Sequence, residues 1–158
     1  MKMNYDIIIL VTFFVGIIIF TLCYNKGEYE EAFEDPKINE IKKNLLKLDP
    51  VVAGRLNIKS GNKSYTENKK NMFLCLKDGS GKYYPDNMLN YVAIHELAHA
   101  KSKEIDTKHK GKEFHDNFEY YLEEAEKKGI YDPSKGLVYD YCGVTPNTKW
   151  VINIKIYS

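Results

Sequence analysis

All four histidines of this chain lie in one stretch of 24 residues, VAIHELAHAKSKEIDTKHKGKEFH at positions 92–115. Within it, the segment HELAH places His95 and His99 four residues apart. On an α-helix this spacing puts both imidazoles on one face, one turn apart, where they can bind a single ion. Neutral imidazole is a preferred ligand of Zn²⁺. The spacing therefore predicts a zinc site on a helix.

The alternative interpretation is a pair of surface histidines on a charged helix. The apolar residues around the pair, YVAI before it and LA within it, favour a buried helix instead. Two imidazoles on a buried face need partners for their ring nitrogens. A bound metal ion would supply such a partner.

Glu96 follows the first histidine directly, so it cannot share the ridge formed by His95 and His99. Its carboxylate can instead take a proton from a water molecule held at the metal and pass it to a leaving amine. We therefore predict that Glu96 is a general base and not a ligand.

A catalytic zinc site usually has three protein ligands and one water. His109, in the polar segment DTKHKGKEF, is the first candidate for the third ligand, because Gly111 allows the chain to fold back over the helix. His115 is the rival, either as the ligand or as a hydrogen-bond donor beside the metal. A third interpretation of His115 is a hydrogen-bonded histidine at the boundary of the core.

The arrangement HELAHA…HKGKEF resembles the zincin metallopeptidases, and most closely their SprT-like and WLM-type branch. More loosely, residues 72–143 are similar to WLM-like proteins of large DNA viruses and algae. The resemblance implies that His95, His99 and His109 bind zinc and that Glu96 is the base. It also implies that the strand MFLCLK lies beside the cleft, where a peptide could pair with its edge. His115 stands where the family has a tryptophan.

The expected function is therefore zinc-dependent hydrolysis of peptide bonds in a protein or peptide substrate. One alternative is a zinc-binding interaction module without turnover, tethered to a membrane. Another is a hydrolase of amide bonds outside peptides, since the same chemistry serves any amide.

Two tyrosines and two cysteines near the end of the domain have functional and structural interpretations. Tyr139 and Tyr141 are candidates for a donor to the transition state, although core packing is the preferred interpretation in a chain with 13 tyrosines. A disulfide between Cys75 and Cys142 is compatible with the sequence, but buried free thiols are preferred.

The predicted elements place this site in a domain of the α+β class with a short antiparallel sheet. A helix with Asp35 as N-cap, Pro36 in its first turn and an apolar face is expected first. The HELAH helix should run from about residue 87 to 101, and the next should begin near Lys112. That second helix should bury an apolar stripe, made up of Phe114, Phe118, Tyr121, Leu122 and Ala125. Alternation in the last eleven residues, TKWVINIKIYS, predicts a C-terminal strand.

Residues 7–24, IIILVTFFVGIIIFTLCY, contain no charge and as a helix would span roughly 27 Å. The sequence therefore predicts a single-pass membrane anchor over residues 1–24, a tether over 25–35 and the zincin-like domain over 36–158. A cleaved signal peptide is the alternative, but no small-residue cleavage site follows the run. One lysine stands on each side of the span, so the side of the membrane is open.

Charge and composition argue against nucleic acid as a partner. The 23 basic residues nearly balance the 22 acidic ones, and Arg55 is the one arginine. Lysine is a poor substitute for the guanidinium group in reading bases or gripping phosphates in two-point contacts.

Overall fold

The computed structural model describes residues 13–17, 35–103 and 111–143. The chain divides into two compact units, Met1–Glu34 and Asp35–Ser158. His109 and the predicted C-terminal strand lie outside the described residues.

The prediction of a membrane-spanning helix over residues 7–24 is wrong by this structure. Of that range the structure describes residues 13–17, which are helical; the rest of the range lies outside the described residues. The longest described helices have 16 residues, and both carry several charged side chains. No helix among the described residues is long and apolar enough to cross a membrane.

Helix α1, Pro36–Leu48, begins as its sequence predicts. The Asp35 side chain accepts a hydrogen bond from the Lys37 N–H, and Pro36 occupies the first turn, where no N–H is needed. The apolar face is buried, which confirms the predicted amphipathic helix; its members are Ile38, Ile41, Leu45 and Leu48.

Asp49 joins three helices. It caps the short helix α2, Pro50–Gly54, by accepting hydrogen bonds from the N–H groups of Val51 and Val52. The same carboxylate accepts a hydrogen bond from the Tyr121 hydroxyl at 2.7 Å and pairs with Lys101 at 3.2 Å. Because Lys101 ends the HELAH helix and Tyr121 lies on the helix after it, Asp49 fixes the helices around the predicted site.

The sheet has three strands, β1 Asn57–Ser60, β2 Tyr65–Glu67 and β3 Asn71–Leu74, in the order β1-β3-β2. Strand β3 pairs parallel with β1 and antiparallel with β2, so the prediction of a purely antiparallel sheet is wrong. Met72 and Leu74 are buried, as expected for a strand in this part of the sequence. Because β3 is paired on both sides, the predicted free edge of MFLCLK is wrong as well. The edge strand that contacts the HELAH helix is β2.

Helix α3, Asp86–Lys101, carries the HELAH segment and is buried on most sides; helix α4, Lys112–Lys127, packs along it. Both helices lie where the sequence predicted them, and the α+β class is confirmed. The predicted core stripe of α4 is buried, and its members are Phe114, Phe118, Tyr121, Leu122 and Ala125.

Candidate metal centre

His95 and His99 lie together on the exposed side of α3, one turn apart. Their Nε2 atoms are 3.2 Å from each other, and both side chains are half-buried. The residues between them that face the core, Leu97 and Ala98, are fully buried and fix the orientation of the helix. The predicted pair therefore presents two ring nitrogens to one point.

Aromatic side chains of α4 hold the two imidazoles. The His95 ring meets Phe114 and Phe118 edge-on at centroid distances of 5.0 and 5.1 Å. The His99 ring stacks on Phe114 at 4.2 Å. Sequence reasoning assigned these phenylalanines to the core alone. Phe114 and Phe118 are four residues apart, as are His95 and His99. This shared spacing was the signal in the sequence that the two phenylalanines position the two imidazoles.

Glu96 is buried beside the pair, with 5% of its surface exposed. Burial raises the pKa of its carboxyl to about 7, although hydrogen bonds from Thr66 act in the opposite direction. Its Oε2 atom is the one buried side-chain polar atom without a hydrogen-bond partner among the described residues. Most buried polar atoms have such a partner, so an oxygen without one is a candidate for chemistry.

Thr66 is the residue of this site that sequence reasoning missed. It lies in the middle of edge strand β2, and its hydroxyl donates to the backbone carbonyl of Glu96 at 3.1 Å. The threonine also bonds the Glu96 carboxyl. The 30 residues between the two offered no sequence signal, because the contact depends on how the sheet packs against α3.

The geometry of the histidine pair fits a tetrahedral zinc ion. Two nitrogens at about 2.05 Å from one ion, at the tetrahedral angle, lie about 3.3 Å apart. The observed separation is 3.2 Å, a distance that also suits a hydrogen bond between the two rings. The described residues contain no group of three or more His, Cys, Asp or Glu placed to hold a metal. His109, the predicted third ligand, falls in the range 104–110 that the structure does not describe.

His115 lies in the first turn of α4, half-buried, with its ring 5.5 Å from that of Phe114. Within the part of the chain described, it does not join His95 and His99 in a three-ligand group.

The two candidate tyrosines occupy different environments. Tyr139 is 81% exposed. Tyr141 is buried; its hydroxyl donates to the carbonyl of Cys75 at 2.5 Å and lies 2.8 Å from the Ser64 hydroxyl. Burial, with smaller contributions from Tyr84 and Glu96, raises the pKa of Tyr141 to about 12. Tyr141 thus has the packing role that the sequence favoured.

Cys75 and Cys142 form a disulfide, with their Cα atoms 6.4 Å apart. The preference for free thiols was wrong. Residues 67 positions apart carry no local signal of pairing, and the fold alone brings them together.

Two viral proteins are similar to part of the chain. The uncharacterized protein 136R of Invertebrate iridescent virus 6 is 37% identical over 94 residues, which make up 58% of this chain and 51% of that protein. The uncharacterized protein 042R of Invertebrate iridescent virus 3 is 37% identical over 98 residues, 59% of this chain and 57% of that protein. The chain spans about half the length of these curated relatives. No protein-family model and no solved structure matches it.

Proposed function

We propose that the chain is a zinc-dependent metallopeptidase in which His95 and His99 bind the ion and Glu96 is the general base. One observation carries the proposal: two imidazole nitrogens 3.2 Å apart lie beside a buried carboxyl that has one oxygen without a partner. Imidazoles supply the metal ligands and the carboxyl supplies the proton acceptor, which are the two parts that hydrolysis of an amide requires.

The burial of Glu96 favours a catalytic site over a purely structural one. Burying a carboxyl with one unpaired oxygen costs about 1 to 3 kcal/mol or more, and a structural metal site gains nothing from it. A general base does gain, because burial raises the pKa of its carboxyl and so makes it a stronger proton acceptor.

Each residue of the site has a distinct task. A bound zinc ion would polarise the scissile carbonyl and make a water molecule more acidic. Glu96 Oε2 accepts the proton of the attacking water and returns it to the leaving nitrogen. Thr66 bonds both the backbone carbonyl and the carboxyl of Glu96. Phe114 packs against the imidazoles of His95 and His99 and keeps them in place.

His109 is the proposed third ligand, and His115 is the alternative. The segment 104–110 joins the end of α3 to the start of α4, so its length permits a return toward the helix pair. The peptide substrate is proposed from the resemblance to metallopeptidases, and other amides are tested in parallel.

The deciding experiment replaces Glu96 by glutamine in the full-length chain. The amide keeps the shape of the side chain but cannot accept a proton. The variant should retain one zinc per chain by elemental analysis, while its hydrolysis of a peptide library falls by about 10²- to 10⁴-fold. Glu119→Gln, at an exposed glutamate of α4, is the matched control and should behave as wild type.

Two results would contradict the proposal. If Glu96→Gln lost its zinc, the carboxylate would be a ligand. If the variant hydrolysed at the wild-type rate, the proton acceptor would be a different group. Absence of hydrolysis of peptides and of simple amides by zinc-loaded wild type would overturn the assignment as a hydrolase.

A further inference from the structure

The disulfide fastens the segment after α4 to the sheet. Cys75 comes directly after β3, and Cys142 lies near the end of the described chain. Between Tyr131 and Tyr141 no residue is fully buried. Leu137 and Val138 pack partly against the core, and Asn87 holds the start of the segment through hydrogen bonds to Asp132 and Lys135. Cys75 is buried, whereas Cys142 is half-buried and is therefore the more accessible residue of the two.

Tyr141 and Cys142 seat this segment through a small set of polar contacts. The N–H of Cys142 donates to the Tyr84 hydroxyl at 2.9 Å, and the rings of Tyr84 and Tyr141 lie 4.8 Å apart. The Tyr141 hydroxyl contacts the Cys75 carbonyl and the Ser64 hydroxyl. Each neutral hydrogen bond contributes modestly to stability, so the disulfide adds a covalent attachment to a segment end held by these bonds and by the burial of Tyr141.

These contacts continue to Glu96 through strand β2. Ser64, which touches Tyr141, also accepts a hydrogen bond from the N–H of Cys75 at 3.0 Å. Two residues later, Thr66 bonds Glu96. Strand β2 has three residues and pairs with β3 along one side only, so it depends on such anchors at its start. The disulfide is therefore connected to the Glu96 side chain through Ser64 and Thr66.

We propose that the Cys75–Cys142 disulfide is a reversible redox latch that holds strand β2 against Glu96. A thiolate of a dithiol reductant attacks the Cys142 sulfur, the bond to Cys75 breaks, and Cys75 leaves as a thiolate that takes up a proton. The second thiol of the reductant then releases Cys142 as a thiol. The protein gains two thiols and the reductant becomes a disulfide. Reduction loosens the end of the segment around Tyr141 and Cys142, weakens the contact of Tyr141 with Ser64 and so loosens the contact between Thr66 and Glu96. The hydrogen bonds of Asn87 still hold Asp132 and Lys135.

The latch regulates the catalytic site only if the proposed function holds. The structural part, the loosening of β2 on reduction, is independent of it. The test therefore uses full-length protein with a chelator and without substrate, and measures backbone amide exchange at single residues.

Four samples are compared: wild type with and without dithiothreitol, and the Cys75→Ser/Cys142→Ser variant with and without it. In wild type, reduction should speed exchange of the Thr66 and Cys142 amides by roughly tenfold or more. The amides of Ile41 and Leu45 in α1 should keep their protection. The serine variant should match reduced wild type in both conditions, which controls for direct effects of the reductant. Reoxidation should restore protection in wild type.

Other patterns of exchange would overturn the latch. Faster exchange at Cys142 with an unchanged Thr66 amide would show that the disulfide fastens only the C-terminal segment. Loss of protection throughout α1 as well would show a cross-link on which the whole domain depends. The Thr66 amide decides between these results whether or not the protein hydrolyses peptides. In zinc-loaded protein, a redox-dependent rate then tests the regulatory step.

Discussion

Helix α3 buries polar side chains in both of its halves, and the two halves satisfy them differently. In the first half, Asn90 is 8% exposed; its amide donates to the Ile130 carbonyl at 3.0 Å and accepts from Asn44 at 3.2 Å. In the second half, Glu96 is equally buried, but its Oε2 atom has no partner among the described residues. The sequence of the helix alone does not distinguish these two environments.

The difference separates a structural polar group from a reactive one. Asn87 belongs with Asn90, since its amide donates to the Asp132 carbonyl and its oxygen accepts from the Asp132 N–H. Such complete networks join α3 to the segment after α4 and specify one arrangement of the chain. An incomplete hydrogen-bond network, as at Glu96, leaves a group whose protonation and contacts can change during a reaction.

The largest expected effect is on metal binding by the second half of the helix. His95→Ala or His99→Ala should abolish stoichiometric zinc binding, because each removes one of two converging nitrogens. His109→Ala should weaken binding strongly, and His115→Ala only slightly. Isothermal titration calorimetry of each full-length variant with zinc measures the four affinities.

The comparison of His115→Ala with His109→Ala decides between the two candidates for the third ligand. If its zinc affinity fell more than that of His109→Ala, His115 would be the third ligand. If both His95→Ala and His99→Ala bound zinc as tightly as wild type, the proposed metal site would be refuted.

The next prediction compares the free energies of unfolding of variants at Asn90 and at Glu96. Asn90→Ala leaves the Ile130 carbonyl and the Asn44 amide without their partner, and should cost about 1 to 3 kcal/mol of unfolding free energy. Glu96→Gln should be at least as stable as wild type, because at this pH it replaces a buried carboxylate whose charge burial disfavours and whose Oε2 atom has no partner among the described residues. Urea unfolding of metal-free protein at pH 8 compares them. An equal loss in both variants would refute the distinction between the two halves.

The smallest effect concerns the support of α3 at Asp49 and depends on pH. Burial alone raises the pKa of Asp49, but hydrogen bonds from Tyr121 and Val52 and the ammonium group of Lys101 outweigh it, so the pKa lies below its usual value. A lowered pKa contributes stability above the unfolded value of about 3.9, and that contribution is lost as the pH falls through the folded value. Asp49→Asn should therefore cost about 1 to 2 kcal/mol at pH 6, and the difference from wild type should shrink toward pH 2.

Asp116→Asn is the control for this titration, since Asp116 forms an exposed ion pair with Lys112 that should contribute less than about 0.5 kcal/mol. A stability difference for Asp49→Asn that stays constant between pH 6 and pH 2 would show that the carboxylate charge is unimportant.

Local sequence patterns determined much of the helical part of the protein. The spacing in HELAH placed His95 and His99 on one face, since the periodicity of a helix follows from its backbone geometry. Asp35 and Pro36 marked the start of α1, and the apolar stripe of α4 marked its buried face. These predictions rest on interactions within about one helical turn, which a short stretch of sequence contains.

Tertiary structure alone decided the order of the strands, the disulfide between Cys75 and Cys142 and the partners of Glu96. Strand β3 pairs with both β1 and β2, although periodicity shows only that a strand exists and not which strands flank it. Thr66 reaches Glu96 across 30 residues because the sheet packs against α3. Hydropathy likewise predicted a membrane span that no described helix provides, because it measures the polarity of residues and not the helix they form. The histidine pair is local, whereas the buried environment that raises the pKa of Glu96 exists only in the assembled fold.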